Sequence, residues 1–182
     1  MGRMNIFVLD TDVKRCAEYH CDKHVVKMIL ESAQILCTAL WSVGVFNESN
    51  TRLTPQEGQS ICLYRHRFSN HESRIYRATH VNHPCCEWAR DLRNWLWLRK
   101  LARALGEEYT YRYGKIHQSI QVINELPIPE IEVKIPDWWV LAMPEPYTHF
   151  DLVVESYREY YKSKKNKFDM RWTKREVPNW FN

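Results

Sequence analysis

Residues 22–43 read DKHVVKMILESAQILCTALWSV, and the fold turns on whether this stretch is a helix. Stepping about 100° per residue puts Val25, Val26, Ile29, Leu30, Ala33, Leu36, Cys37 and Leu40 on one side. His24, Lys27, Glu31, Gln34 and Thr38 fall in a narrow stripe on the opposite side, and His20 joins them if the helix extends back by one turn. Asp22 stands where a side-chain oxygen can cap free N–H groups, and Gly44 ends the run. The stripe has two readings. As a solvated face it asks only for a Lys27–Glu31 pair at i,i+4, worth about 0.3–0.5 kcal/mol. As the wall of a groove it joins a carboxylate, an amine and imidazoles within a turn of one another, the groups needed for acid–base work and for an attacking amine.

Working outward, Asn5–Leu9 (NIFVL) is a short apolar run, read as a strand or a buried extended arm. Asp10-Thr11-Asp12 signals a helix start, and a short helix is expected over about 13–19. Residues 47–60 form a polar loop, and the next stretch lacks clear periodicity. Pro84 after Asn82-His83 reads as a turn or the first turn of a helix. A long helix follows over about 85–111, with Trp88, Leu92, Trp95, Leu96 and Leu98 on its apolar face, and a shorter helical piece spans 117–126. The Pro/Trp-rich segment 127–149 cannot be one regular element. Residues 150–162 are helical, and 162–182 form a basic, aromatic tail. The expected fold is mainly α: one compact helical domain over 1–182, with a short N-terminal strand or extended arm and a Pro-rich irregular segment.

The chain of 182 residues is 45% hydrophobic with only five glycines, so it can bury a core and is not disordered. Its net charge of +4 falls short of the excess carried by a dedicated nucleic-acid binder. Basic residues cluster locally, however, over 65–77, 90–103 and 162–175, and local patches govern phosphate binding. Eight Trp, ten Tyr and six Phe add stacking surfaces. None of the six cysteines forms C-x-x-C, and the sequence shows no signal peptide and no apolar run of membrane length. Reduced thiols, a cytoplasmic location and no membrane association are therefore expected.

The candidate catalytic groups are Glu31, Lys27, His24 and His83. Glu31 would act as acid or base, or stabilise positive charge on a sugar. Lys27 would be an imine-forming amine or a phosphate clamp, and the two histidines would orient. Candidate ligand contacts are His20, Gln34, His80 and Asn82, with Arg67, Arg90 and Lys174 for phosphates. Tyr111, Arg112 and Lys115 lie in Y-T-Y-R-Y-G-K, a composition suited to stacking on bases and holding phosphates. His20 and His24, with Glu31 or with His80 and His83, form a candidate Zn²⁺ or Fe²⁺ set. The H-E-x-x-H signature is absent and Lys27 would repel a cation, so no cofactor is expected. No cysteine stands out as a nucleophile.

The order of motifs resembles a bacterial group related to the pyrimidine-dimer DNA glycosylases (endonuclease V-like proteins). The matching residues are Asp22, Lys23, Glu31, Gln34-Ile35-Leu36, Asn82-His83-Pro84 and Trp88, about a third of the chain. The chain is also similar, over most of its length, to proteins encoded by tailed phages, which implies the infected host cell as its location. The glycosylase resemblance implies a compact helical protein that opens damaged DNA and attacks the sugar C1′ with an amine. A Glu on an early helix assists cleavage there, and Glu31 would inherit that role. The implied nucleophile is the N-terminal α-amine, with Lys27 a substitute amine proposed from spacing. The resulting expectation is a DNA-directed enzyme, a glycosylase or glycosylase/lyase acting on damaged or modified bases. The alternatives are an enzyme on a free nucleotide or modified base, with or without a metal, and a non-catalytic protein binding nucleic acid or a host protein.

Overall fold

The computed structural model describes residues 4–45, 61–65, 72–133, 139–148 and 152–182. The protein is mainly α. Its elements are α1 (Val13–Tyr19), α2 (Asp22–Ser42), β1 (Ile61–Arg65), β2 (Glu72–Tyr76), α3 (Pro84–Trp88), α4 (Leu92–Tyr113), α5 (Ser119–Glu125) and α6 (Val153–Lys162). Short 3-10 turns lie at Glu145–Tyr147 and Asn179–Phe181.

The periodic stretch is the central helix, α2. It packs against α4, α5 and α3, and it is buried on more sides than its apolar stripe implied. Met28 and Ile35, outside that stripe, are fully buried, whereas Val26, inside it, is exposed. Cys21, not Asp22, holds the N-cap position of α2. The Asp22 carboxylate turns away to accept hydrogen bonds from Arg112 and from Thr173. By length and composition α2 also meets the measure of a membrane span, with a mean hydropathy of 1.3, which corrects the expectation that no run reaches that length. Two thirds of that window is buried inside the protein, so its apolar character is accounted for by the core.

The helix expected over 85–111 is two helices. Ala89, Arg90 and Asp91 separate them, and Asp91 restarts the chain by accepting from the Arg93 and Asn94 backbone N–H groups. Asn94 closes the joint by donating to the Trp88 carbonyl at 3.0 Å. Gly106 of α4 faces Ile120 beside α5's first turn so closely that a Cβ there would meet the Ile120 side chain at 2.3 Å. A larger residue there would force the Ile120 side chain to move. Gly114, at φ 64°, ends α4 in the left-handed region.

An antiparallel hairpin, unread in the sequence, pairs β1 with β2 in the register Ile61↔Tyr76 to Arg65↔Glu72. It docks on α5 through Ser73 Oγ to the Glu125 carbonyl and through the Tyr76 and Ser119 hydroxyls, 2.9 Å apart. The loop expected over 47–60 lies outside the described residues.

The N-terminal NIFVL run is an extended arm, buried along its length and unpaired with either strand. Asn5 shapes it: its Oδ1 accepts from the Ile6 and Phe7 N–H groups at 2.7 and 2.9 Å. Phe7 is held at φ 39°, a strained value for a bulky residue, costing about 1–3 kcal/mol. Its ring is what holds it there. It stacks on His24 and Tyr160 and meets Tyr157 and Tyr161 edge-on.

The C-terminal residues are part of the core. Trp172 donates to the Tyr19 carbonyl at 2.9 Å and packs on the buried Phe181. The Asp22 N–H donates to the Arg171 carbonyl, so this segment lies over the start of α2.

Candidate functional site

The α2 stripe divides once the arm and the C-terminal segment lie over it. Lys27 stays 45% exposed in its side chain, and Gln34 is half-buried. His20, His24, Glu31 and Thr38 are covered. Thr38 exchanges hydrogen bonds with Thr79, which brings the turn before α3 against the same helix.

Glu31 is the junction. It is 7% exposed. One oxygen lies 3.0 Å from the Lys27 ammonium, and the other accepts from the Asn5 backbone N–H at 3.2 Å. Asn5 is fixed from the far side, its Nδ2 donating to the Ala142 carbonyl at 2.7 Å. The Glu31 charge also reaches Cys85, two residues beyond His83. A carboxylate, an amine at the rim and the incoming N-terminal arm therefore meet at one place.

Next along the stripe stands His24. Burial lowers its pKa to about 3, with the charges of Lys27 and Lys164 acting in the same direction, so it is a neutral imidazole at neutral pH. Burial also lowers His20 to about 4, although its Nδ1 lies 2.7 Å from the Cys16 carbonyl.

Comparison with protein-family models, curated proteins and solved structures gives no match. What each candidate side chain can do therefore rests on its geometry.

Several sequence candidates are structural. His20 is fully buried and cannot touch a ligand. Arg112 is also buried, with Nε on Glu108 at 2.7 Å, Nη1 on Asp22 at 2.9 Å and Nη2 on the Glu18 carbonyl at 3.0 Å. Its sequence neighbourhood suggested a surface cation, but its side chain points inward. His83 caps α3, its Nδ1 accepting from the Cys85 N–H at 3.2 Å. Arg90 braces the turn, donating to the Val81 carbonyl at 2.7 Å. Lys174 donates to the Tyr111 carbonyl at 2.9 Å, and Tyr111 returns a bond to the Lys174 carbonyl at 3.4 Å. That pair clasps the tail to α4, which accounts for both residues without a ligand. His80, at φ 51°, and Asn82 are exposed in the turn before α3. Arg67 lies outside the described residues.

Lys115 falls in a cleft of ≈ 320 Å³ lined also by Asp22, Lys23, Val26, Tyr109 and Tyr113. The one acid there, Asp22, is held below the usual carboxylate range. Burial opposes that shift, but the bonds from Thr173 and Arg112 outweigh it. Two lysines and two tyrosines complete the lining, on the flank of α2 beside Lys27, with Lys23 4.9 Å from the Phe168 ring and the Tyr109 and Tyr113 rings 5.0 Å apart.

Among the described residues no group of three or more His, Cys, Asp or Glu is placed to hold a metal. Cys16, Cys21, Cys37, Cys85 and Cys86 are free and buried. Burial pushes Cys16 and Cys37 up to about 12 and Cys86 to about 11, and raises Cys85 further, so none is a ready thiolate.

Four residues of this corner escaped the sequence reading: Asn5, Phe7, Tyr160 and Lys164. Asn5 and Phe7 sit in a run whose only visible signal is hydrophobicity. Lys164 is hidden in the run Lys162–Lys167, where nothing but burial separates it from its neighbours.

Proposed function

We propose that the protein is a DNA-directed enzyme of the glycosylase or glycosylase/lyase type, with Glu31 and an adjacent amine as its reacting groups. The observation that carries this reading is the position of Glu31, shielded from bulk water yet touching both the half-exposed Lys27 ammonium and the N-terminal arm at Asn5. Cleavage of an N-glycosidic bond builds positive charge on the sugar, and a shielded carboxylate lowers the energy of that state. The attacking amine must lose a proton as its bond to C1′ forms and the base departs, and Glu31 is within reach to accept it. Lys27 is one such amine. The N-terminal α-amine is the other, as the resemblance implies.

The resemblance of the motif order to the pyrimidine-dimer glycosylases supports the same reading, since it puts the assisting carboxylate at Glu31. Extruding a nucleotide from the duplex costs a few kcal/mol, roughly 1–3 kcal/mol of which a stacked aromatic ring returns per base. Tyr109 and Tyr113 in the lysine-bearing cleft are rings available for this.

The test is reduction with borohydride in the presence of duplex DNA carrying a pyrimidine dimer or an abasic site. A protein–DNA adduct is expected, and peptide mass mapping should place it on Lys27 or on the N-terminal residue. No adduct on either substrate, with folded protein that binds the DNA, would overturn the imine mechanism.

A further inference from the structure

A groove of ≈ 490 Å³ runs between α4 and α5, a volume within the range of small-molecule sites. Gly106, Ile116 and Ile120 give it apolar walls, and Ile116 is left 74% exposed there. Its charged groups are Arg103 and Glu107, exposed on α4 and four residues apart. A pair at that spacing ordinarily closes on itself across one helix turn. This one is open, because Asn124 of α5 turns Arg103 aside, its Oδ1 accepting from Arg103 Nε at 3.0 Å. Among the described residues no carboxylate lies within ion-pair distance of Arg103, and no cation within that distance of Glu107. Asn124 is itself held, its carbonyl accepting from Arg99 Nη2 at 3.2 Å. Arg99 lies over the Trp95 ring at 5.3 Å. Burial, and then the charge of Arg103, lower its pKa, so the two guanidinium groups feel each other. The groove therefore has an apolar wall, a cationic end without an anion, and one carboxylate without a cation.

We propose that this groove binds a small apolar zwitterion, an α-amino acid with a branched or aromatic side chain, its carboxylate on Arg103 and its ammonium on Glu107. Residues four apart on a helix hold their Cβ atoms about 6 Å apart. The two charges of an α-amino acid stand on one carbon, so a single molecule spans that gap while its side chain lies against Ile116 and Ile120. A guanidinium grips a carboxylate through two parallel N–H bonds, and among the described residues the terminal nitrogens of Arg103 have no acceptor. A phosphate suits the groove less well, because Glu107 would repel it. A plain apolar carboxylate would leave Glu107 unmatched. Both charged partners are open to water, so a dissociation constant of about 1 mM is expected. The inference is independent of the chemistry proposed for Glu31.

The experiment follows the δ-methyl signals of Ile116 and Ile120 by carbon-13 NMR in the intact protein. The probes are L-leucine, L-phenylalanine, and three partial ligands: isocaproate lacks the ammonium, isopentylamine lacks the carboxylate, and glycine lacks the apolar side chain. Both methyl signals should shift and saturate with leucine or phenylalanine, and each partial ligand should bind about tenfold more weakly than leucine. Arg103→Met should weaken leucine about tenfold and leave isopentylamine unchanged, whereas Glu107→Gln should weaken leucine and leave isocaproate unchanged. Both side chains are exposed, so neither change should move the thermal midpoint. Methyl signals that stay still with both amino acids overturn the proposal. So does isocaproate binding as tightly as leucine, since Glu107 would then play no part. Shifts that follow protein concentration without any ligand would make the groove a contact between two copies of the chain, and would also overturn it. No arm involves DNA or Glu31, so failure here leaves the glycosylase reading standing, and failure of borohydride trapping leaves this one.

Discussion

Glu31 and Glu108 invite comparison because they begin alike. Each lies on a long helix, each is nearly buried, and each has a basic residue four positions away. Around Glu108 every interaction is closed. Arg112 binds one oxygen at 2.7 Å, Arg175 reaches both oxygens at 3.0 and 2.9 Å, and the rest of Arg112 is spent on Asp22 and the Glu18 carbonyl. Burial opposes ionisation of Glu108, but those guanidinium bonds outweigh it and hold its carboxyl below the usual range. Around Glu31 the interactions are open: a half-exposed lysine and one backbone N–H. The i,i+4 spacing is the same, and the difference is what the second residue brings. Arginine, with its planar fork, locks a buried network, while lysine leaves a mobile amine at a rim. A saturated pair holds the fold together, and an unsaturated one is available for chemistry.

The comparison breaks most readily at Arg112. Arg112→Leu leaves the buried Glu108 and the half-buried Asp22 without their shared cation and is expected to cost about 3–5 kcal/mol in urea unfolding. Lys27→Met, at the open pair, should cost less than about 1 kcal/mol. Equal costs would mean that the two sites differ only in appearance.

Phe7 sharpens the point from the side of the arm. Phe7→Ala removes five ring contacts but frees the arm to relax from the φ of 39°, so a loss of about 3 kcal/mol is expected, the lower end for a buried Phe. A markedly smaller loss would show that the ring stack does not hold the arm.

Acid should act next. His20 and His24 have folded-state values of about 4 and 3, below the usual 6.5. The unfolded chain therefore binds protons that the folded protein refuses, and the stability they contribute is complete above about pH 6.5. It is lost as pH falls from there towards 4 and then 3, at up to about 1.4 kcal/mol per pH unit for each histidine. Thermal midpoints taken across pH 4–7 should show this slope, and His24→Gln should remove about half of it. A flat profile would place both imidazoles in contact with water.

The smallest effect is expected in the cleft beside α2. Lys23→Ala and Lys115→Ala should each lower the salt slope of DNA binding by about 0.9 and leave the thermal midpoint unchanged. An unchanged slope would remove the cleft from the nucleic-acid surface.

The sequence made the helices legible where periodicity was long. The α2 stretch could be read almost to the residue, and the short α1 followed from its Asp12 cap, which bonds the Arg15 N–H at 2.8 Å. The break between α3 and α4 was hidden because the apolar spacing runs on through Ala89–Asp91, and only the Asp91 cap marks it. The hairpin was hidden because its strands are short and lack an alternating pattern. Glu31 and Lys27 were legible as neighbours, since i,i+4 spacing fixes them on one face. That Asn5 would close over Glu31, or that Lys164 would turn inward, was not legible. Both depend on tertiary contacts between residues far apart in the chain, which no local pattern encodes. The inward turn of Arg112 was missed for the same reason, as its partners Asp22 and Glu18 belong to other helices.

The most direct test is the yield of borohydride-trapped adduct for Glu31→Gln relative to wild type on dimer-containing or abasic duplex. The substitution keeps an oxygen for the Asn5 N–H and removes only the charge. The yield should fall by at least about 100-fold while helicity and thermal midpoint remain those of the wild type. Trapping that persists at the wild-type level in a folded Glu31→Gln protein would contradict the claim that this open carboxylate is the working group.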